Sequence, residues 1–181
     1  MTVPAWETIA SEIAYTCEGF DIVRETVELP DGDRTAFDYL SDTESVVILP
    51  FTTAGDVVVI DEWRQAVKRR NRGLPAGGIE PEEQVTKAVR RELREETGYE
   101  AGSIEPLCAF EPANGFSDAT YRYYVAEDCE PTGEQSLDGD ETIDVTTTEF
   151  DRLLQDVEAG TIDDGRSALA IMYYALFESD P

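Results

Sequence analysis

Residues 77–99, GGIEPEEQVTKAVRRELREETGY, constrain this chain more than any other stretch. A helix over 82–96 places Glu92, Glu95 and Glu96 on one face, because residues three and four apart are neighbours on a helix surface. Like charges at those spacings repel, so a bare surface helix gains little from them. A divalent cation removes the repulsion, and hard oxygen donors are what Mg²⁺ and Mn²⁺ prefer. Just upstream, Leu74-Pro75-Ala76-Gly77-Gly78 is a loop whose glycines let backbone approach a ligand closely. The spacing points to a metal–diphosphate site; a solvated Glu/Arg helix is the plain alternative.

The charge balance narrows the partners. There are 40 acidic residues against 14 basic ones, for a net charge of −26, which argues against binding nucleic acid or anionic membranes. Such a chain is either disordered or folded under an acidic solvation coat. An apolar content of 41% and regular strand-like runs favour the folded reading. Self-repulsion of this size is screened at high salt, which suits the cytoplasm of an extreme halophile. Nine of the 14 cations fall between Arg64 and Arg94, where a phosphate-bearing ligand would be drawn, although Arg90 and Arg94 also serve to neutralise neighbouring glutamates. The chain has no histidine, which excludes Ser-His-Asp and Cys-His catalysis and imidazole zinc sites. A general base must then be a carboxylate or, less readily, Lys or Tyr. Cys17, Cys108 and Cys129 form no C-x-x-C pair and suggest no disulfide framework. With no signal peptide or membrane-length apolar run, a soluble cytoplasmic protein is expected.

Along the chain, residues 4–14 read as a short helix, then 19–29 and 34–39 as a hairpin around Pro30-Asp31-Gly32. Strands follow at 45–50, 56–61, 105–111, 119–126 and 142–147, with the first of these buried on both faces. Residues 63–72 lead into the glycine loop, 136–141 form an acidic loop, and helices close the chain at 149–159 and 165–178. The order predicts an α/β layered domain with an N-terminal antiparallel strand extension.

The 77–99 stretch resembles the Nudix box, G-x5-E-x7-R-E-U-x-E-E-x-G-U, where U is apolar. It matches at every fixed position, and composition alone would give that with a probability on the order of 10⁻⁵. Tyr99 replaces the usual aliphatic residue at the last apolar place, which implies altered packing and no lost chemistry. The resemblance extends over residues 15–178 to ADP-ribose pyrophosphatase-like members, through the V-V-I-L-P strand, E-W-R-Q, L-P-A-G and a G-F-S-D-type loop. It implies the Nudix fold, an α/β/α sandwich on a mixed sheet. Residues 1–42 would be a strand extension, which helps form a homodimer in those relatives, and residues 43–181 the hydrolase domain.

The same resemblance implies roles. Glu92 and Glu96 match metal ligands, Glu95 a further ligand or outer acceptor beside them, and the Ala76 carbonyl a backbone ligand for Mg²⁺ or Mn²⁺. Arg91 and Glu83 match an orienting pair, with structural bracing as their plain role. Arg64 matches an arginine that contacts substrate, where a guanidinium suits diphosphate; a surface salt bridge is its ordinary fate. Gly77 lies where backbone meets the ligand. The general base in relatives comes from a loop after the box, and Glu141 is the first candidate here, Asp140 the second, against a merely solvated acidic loop. Those relatives carry a proline after the box where this chain has Asn114, with Pro112 two places earlier. Phe116 or Trp63 could stack on a base, although aromatics are more often packing residues. The implied reaction is divalent-metal-dependent hydrolysis of a nucleoside diphosphate derivative, ADP-ribose before GDP-mannose, NADH or diadenosine polyphosphate. A nucleotide-binding sensor is the non-enzymatic alternative, and the complete glutamate set argues against it.

Overall fold

The computed structural model describes residues 3–17, 19–139 and 141–178, which form two compact units. The smaller comprises residues 3–44 and 111–120. Its three-stranded antiparallel sheet runs β1 (Glu7–Thr16), β2 (Asp21–Glu28), β3 (Arg34–Ser41), in that spatial order. The β2–β3 hairpin closes where expected. Gly32 takes a left-handed φ of 90° there, and its N–H bonds to the Leu29 carbonyl at 2.9 Å. Segment 111–120 is tied to β3, because Leu40 N–H donates to the Phe116 carbonyl at 2.9 Å and Asp118 N–H to the Leu40 carbonyl at 3.1 Å.

The helix expected over 4–14 is a strand instead. Ile9 and Ile13 are spaced like one helical face, but every residue of β1 is exposed, so there is no stripe to bury. The ladder to β2 decides the conformation, and Thr8, Ile9, Ile13 and Thr16 are β-branched residues that suit it.

The larger unit spans 45–110 and 121–178. Its strands are β4 (Ser45–Thr52), β5 (Val57–Arg64), β6 (Arg69–Gly73), β7 (Ala76–Gly78), β8 (Tyr99–Glu100), β9 (Ser103–Phe110), β10 (Tyr121–Pro131) and β11 (Ile143–Thr148). Helix α1 (Val85–Thr97) follows β7, and α2 (Phe150–Glu158) and α3 (Gly165–Phe177) close the chain. The sheet is mixed. The main path is β11-β5-β4-β10-β8, with β6 on β5, β7 on β4, β9 on β10, and only β4–β10 parallel among these pairs.

Strand β4 explains the layers. Val47 and Leu49 point into one core with Leu153 of α2 and Ala170 and Ile171 of α3. Val46 and Ile48 point the opposite way, into a second core with Ala88, Val89 and Leu93 of α1. All four β4 residues are fully buried. Alternate side chains of one strand therefore hold helices on both faces of the sheet, each contributing about 1.5–3 kcal/mol by burial. The result is the expected α/β/α sandwich. No helix among the described residues is long and apolar enough to cross a membrane.

Strands β6 and β7 were expected as connecting loop. RRNRG and AGG carry no apolar alternation, and both are strands only because β5 and β4 offer backbone partners.

Candidate functional site

Helix α1 forms because 85–97 contains no Gly or Pro and buries Ala88, Val89 and Leu93 on one side. It stops at Gly98, whose left-handed φ of 72° lets its N–H bond the Arg94 carbonyl at 2.8 Å. A side chain at Gly98 is barred twice over, since a Cβ would also stand 2.7 Å from the Gly133 carbonyl oxygen.

Arg91 is the hub of the helix's acidic face. Its Nε and Nη2 grip Glu83 in a bidentate pair at 3.0 and 2.9 Å. Nη1 reaches Glu92 at 2.7 Å and Glu95 at 3.2 Å, and Nη2 also donates to the Gly78 carbonyl at 2.8 Å. The expected Arg91–Glu83 pair is thus present, and it ties the helix to the loop before it. Hydrogen bonding to Arg91 draws the Glu83 carboxyl below its usual range. The guanidinium is in turn held charged more firmly than usual, chiefly by Glu83.

Glu96 lies beyond Arg91's reach and is only 4% exposed. Its Oε2 accepts the Ala76 N–H at 2.9 Å. Burial pushes its carboxyl up to about 8, against the pull of that hydrogen bond, and the charges of Glu92, Glu141 and Glu62 add to the rise. Glu92 is also raised, because its burial outweighs the bond to Arg91. Gly77 is glycine for a steric reason. A Cβ there would lie 2.2–2.3 Å from the Glu92 carboxylate, so that carboxylate, which Arg91 holds at 2.7 Å, would have to move aside for any other residue.

Two further carboxylates share this electrostatic environment. The charge of Glu141 adds to the rise of the Glu62, Glu92 and Glu96 carboxyls. The turn that carries it is held by Asp138 N–H donating to the Glu141 carboxylate at 3.0 Å and Glu141 N–H to the Asp138 carbonyl at 3.0 Å. Asp140 lies outside the described residues. Glu62, which the motif reading passed over, is the second. It is 8% exposed on β5, pairs with Arg64 at 2.7 Å, and is raised chiefly by burial. The signal for it was a carboxylate continuing the alternation of Val58 and Ile60 to the strand's end.

Arg64 is therefore ion-paired and still 37% exposed at its side chain. Other cations of the basic segment are spent on partners: Arg69 on Asp163, Arg70 on Asp144, Arg72 on Asp61. Asn114 and Phe116 belong to the smaller unit. There they line an open cavity of about 340 Å³ with Phe37, Tyr39, Glu111, Ser117 and Asp118, and Phe116 is 63% exposed. Trp63 is also exposed, its Nε1 donating to Gln65 at 3.0 Å.

The oxygen set of Glu92, Glu96, Glu62 and Glu141 fits a hard divalent cation in chemistry. Glu62, Glu92 and Glu96 are largely buried, and burial raises all three carboxyls. The set is not drawn into a cage. Among the described residues no three acidic or thiol side chains converge as a metal-holding group, and Glu92 and Glu95 each give an oxygen to Arg91.

Residues 42–167 match the NUDIX domain. The chain is 31% identical over 174 residues to an ADP-ribose pyrophosphatase of Bacillus subtilis, covering 96% of this chain and 94% of that one. It is 28% identical over 174 residues to a methanol dehydrogenase activator of Bacillus methanolicus, with the same coverages of 96% and 94%. A crystal structure of an ADP compounds hydrolase superposes with a TM-score of 0.85 at 21% identity, over 97% of this chain and 95% of that one. With a complete box folded around Arg91 and relatives along nearly its whole length, the chain belongs to the Nudix family and is a hydrolase related to the ADP-ribose pyrophosphatases.

Proposed function

We propose that the protein hydrolyses the diphosphate bond of ADP-ribose, giving AMP and ribose 5-phosphate, with Mg²⁺ or Mn²⁺. The observation that carries the hydrolytic reading is the division of the acidic face, and the choice of ADP-ribose is supported by the similarity to the Bacillus subtilis ADP-ribose pyrophosphatase. Arg91 neutralises Glu83, Glu92 and Glu95, while Glu96 is buried against the Ala76 amide and outside its reach. Glu92, Glu95, Glu96 and the Ala76 carbonyl would hold the metal. Bound there, it would neutralise phosphoryl oxygens and lower the barrier to attack by water. Arg91 and Glu83 orient the glutamates, and Gly77 leaves room for them against the loop. Arg64 binds the diphosphate with paired N–H groups. Glu141 takes the proton of the attacking water, so that one phosphorus gains the hydroxyl and the other keeps the bridging oxygen. Asn114 and Phe116 take part in substrate recognition, Phe116 by stacking on the base.

Residues 1–42 serve as the dimerising extension of the 43–181 hydrolase domain, and the protein acts as a cytoplasmic homodimer. The fully exposed strand β1 supports this, since it offers Ile9, Ile13 and Tyr15 to a partner. The acidic coat suits a halophile's salt. The decisive experiment is a substrate panel of ADP-ribose, GDP-mannose, NADH and diadenosine polyphosphates with Mg²⁺ and with Mn²⁺ in molar KCl, the products resolved by chromatography. AMP and ribose 5-phosphate from ADP-ribose at the highest kcat/KM are expected. A higher value for another substrate would reassign the enzyme within the family, and nucleotide binding without turnover would make it a sensor.

A further inference from the structure

The ribbon 73–77 is pinched at two glycines by side chains from two helices. Downstream, the Glu92 carboxylate fills the space of a Gly77 side chain and Glu96 takes the Ala76 N–H at 2.9 Å. Upstream, a Cβ on Gly73 would stand 2.6 Å from the Ser167 hydroxyl oxygen. That hydroxyl, on fully buried Ser167, accepts the Leu74 N–H at 2.9 Å. Its own proton goes to Asp164 Oδ2 at 2.7 Å. Both polar functions of the hydroxyl are therefore committed, one to the ribbon and one to the start of α3.

Asp164 is the N-cap of α3 and also accepts from Ser167 N–H at 3.3 Å, the ordinary capping bond. Capping needs only that amide. It does not require the Ser167 hydroxyl to reach Leu74, 93 residues away in sequence. Burial would raise the Asp164 carboxyl, but the Arg166 guanidinium, whose Nε donates at 3.2 Å, and the Ser167 bonds hold it below the usual range. Asp164 thus stays an acceptor, and the hydroxyl cannot turn its proton elsewhere.

Between the two grips lies Pro75. Its ring fixes φ near −65°, and its carbonyl accepts Ile48 N–H of β4 at 3.0 Å. With φ fixed there, Leu74 and Ala76 are joined through few free torsions, so the placing of Leu74 bears on Ala76 alongside the pairing of Ala76 and Gly77 with Val47 and Val46 of β4.

We propose that Asp164 and Ser167 are positioning residues of the candidate active site: Asp164 aims the Ser167 hydroxyl, and that hydroxyl sets the Ala76–Gly77 backbone against Glu92 and Glu96. The inference deepens the metal–diphosphate reading of that site and rests on it. Ser167→Ala removes the acceptor and leaves the Leu74 amide buried without a partner. Mn²⁺ affinity, measured with the metal alone, should weaken about tenfold, as when an outer partner of a metal site is lost. Exchange of the Ala76 amide should quicken, and kcat should fall with little change in KM. Leu153→Ala, on α2 in the same core as Leu74 and Ala76 but with no polar group to offer the ribbon, serves as a control for destabilisation of that core and should leave Mn²⁺ affinity and kcat unchanged while folded. Gly73→Ala should reproduce the Ser167→Ala losses, because its Cβ displaces the hydroxyl. Added to Ser167→Ala it should change little, since the Ser167 Cβ is a comfortable 3.6 Å from the new methyl. Mn²⁺ affinity and Ala76 exchange in Ser167→Ala that match the Leu153→Ala control would overturn the proposal, as would additive effects of Gly73→Ala and Ser167→Ala. If the unaltered protein hydrolysed nothing in the substrate panel, the functional reading would fall, while Mn²⁺ affinity and amide exchange would still judge the clamp.

Discussion

Glu83 and Glu96 belong to the same motif, yet their surroundings drive them in opposite directions. Glu83 lies in the two-pronged grip of Arg91 and is held below its usual range. Glu96 is buried beside Glu92, Glu62 and Glu141, and its carboxyl is pushed up to about 8. One half of the acidic face carries its own cation; the other half has carboxylates in excess. Two glutamates of one signature can thus sit in opposite electrostatic surroundings, and the neighbouring charge decides which.

The largest test of that contrast is Glu96→Gln. Turnover should fall by orders of magnitude with the fold retained, because the amide keeps an oxygen for Ala76 N–H but gives up the charge. Near-normal activity by steady-state assay would remove Glu96 from the proposed metal platform. Glu141→Gln should lower kcat about 10²–10³-fold with a smaller rise in KM, as for a base used in the transition state. Full activity there would move the base to another residue.

On the braced side, Arg91→Lys keeps one charge but loses the fork, and should cost about 10–100-fold in activity. Arg91→Ala should also lower stability by about 2–3 kcal/mol, because Glu92 and Glu95 lose their shared partner. Denaturant unfolding checks it; an unchanged midpoint would mean that water replaces the guanidinium at no cost.

The pH response separates the two halves next. Glu96, Glu92 and Glu62 are raised in the folded protein, so the folded state binds more protons than the unfolded state between about 4.5 and 8 for Glu96. Their stability contribution is full below that window and is lost as pH rises through it. Glu83 has the opposite sign, its contribution being present above the ordinary carboxylate range and lost in acid. The melting temperature of metal-free protein should therefore decline from pH 5 to pH 8, and saturating Mn²⁺ should flatten the decline. An equal slope with and without Mn²⁺ would argue that the metal does not meet these carboxylates. Least local is the salt effect, in which melting temperature should rise markedly from low to molar KCl as the net charge of −26 is screened, a flat response removing the halophile reading.

Much of this site could be read from the sequence because a helix turns spacing into geometry. Glu92, Glu95 and Glu96 follow from offsets of three and four, and Arg91 with Glu83 from the motif. The strands of the double core were legible for the same reason, since Val46 to Leu49 leave no polar face. What was lost depended on partners distant in sequence. β1 has no buried face to announce it, and β6 and β7 exist through backbone pairing alone. Glu62 acquires its role only when β5 brings it near Glu141, and Ser167 only when α3 meets residue 74.

The C-terminal end of α1 has a consequence of its own. Its last carbonyls are taken by one downstream segment: Glu95 by Ser136 N–H at 2.9 Å, Glu96 by the Gln135 side chain, Gly98 by Thr132 N–H at 3.0 Å. The chain then has only residues 137–140 in which to travel from that anchorage to Glu141. Glu141 is in effect on a short tether fastened to the helix that carries Glu96. How far Glu141, the proposed base, can stray is bounded by chain length on one side and by the bond from Trp63 N–H to the Thr142 carbonyl on the other, so a residue added to the tether would loosen only the first of the two.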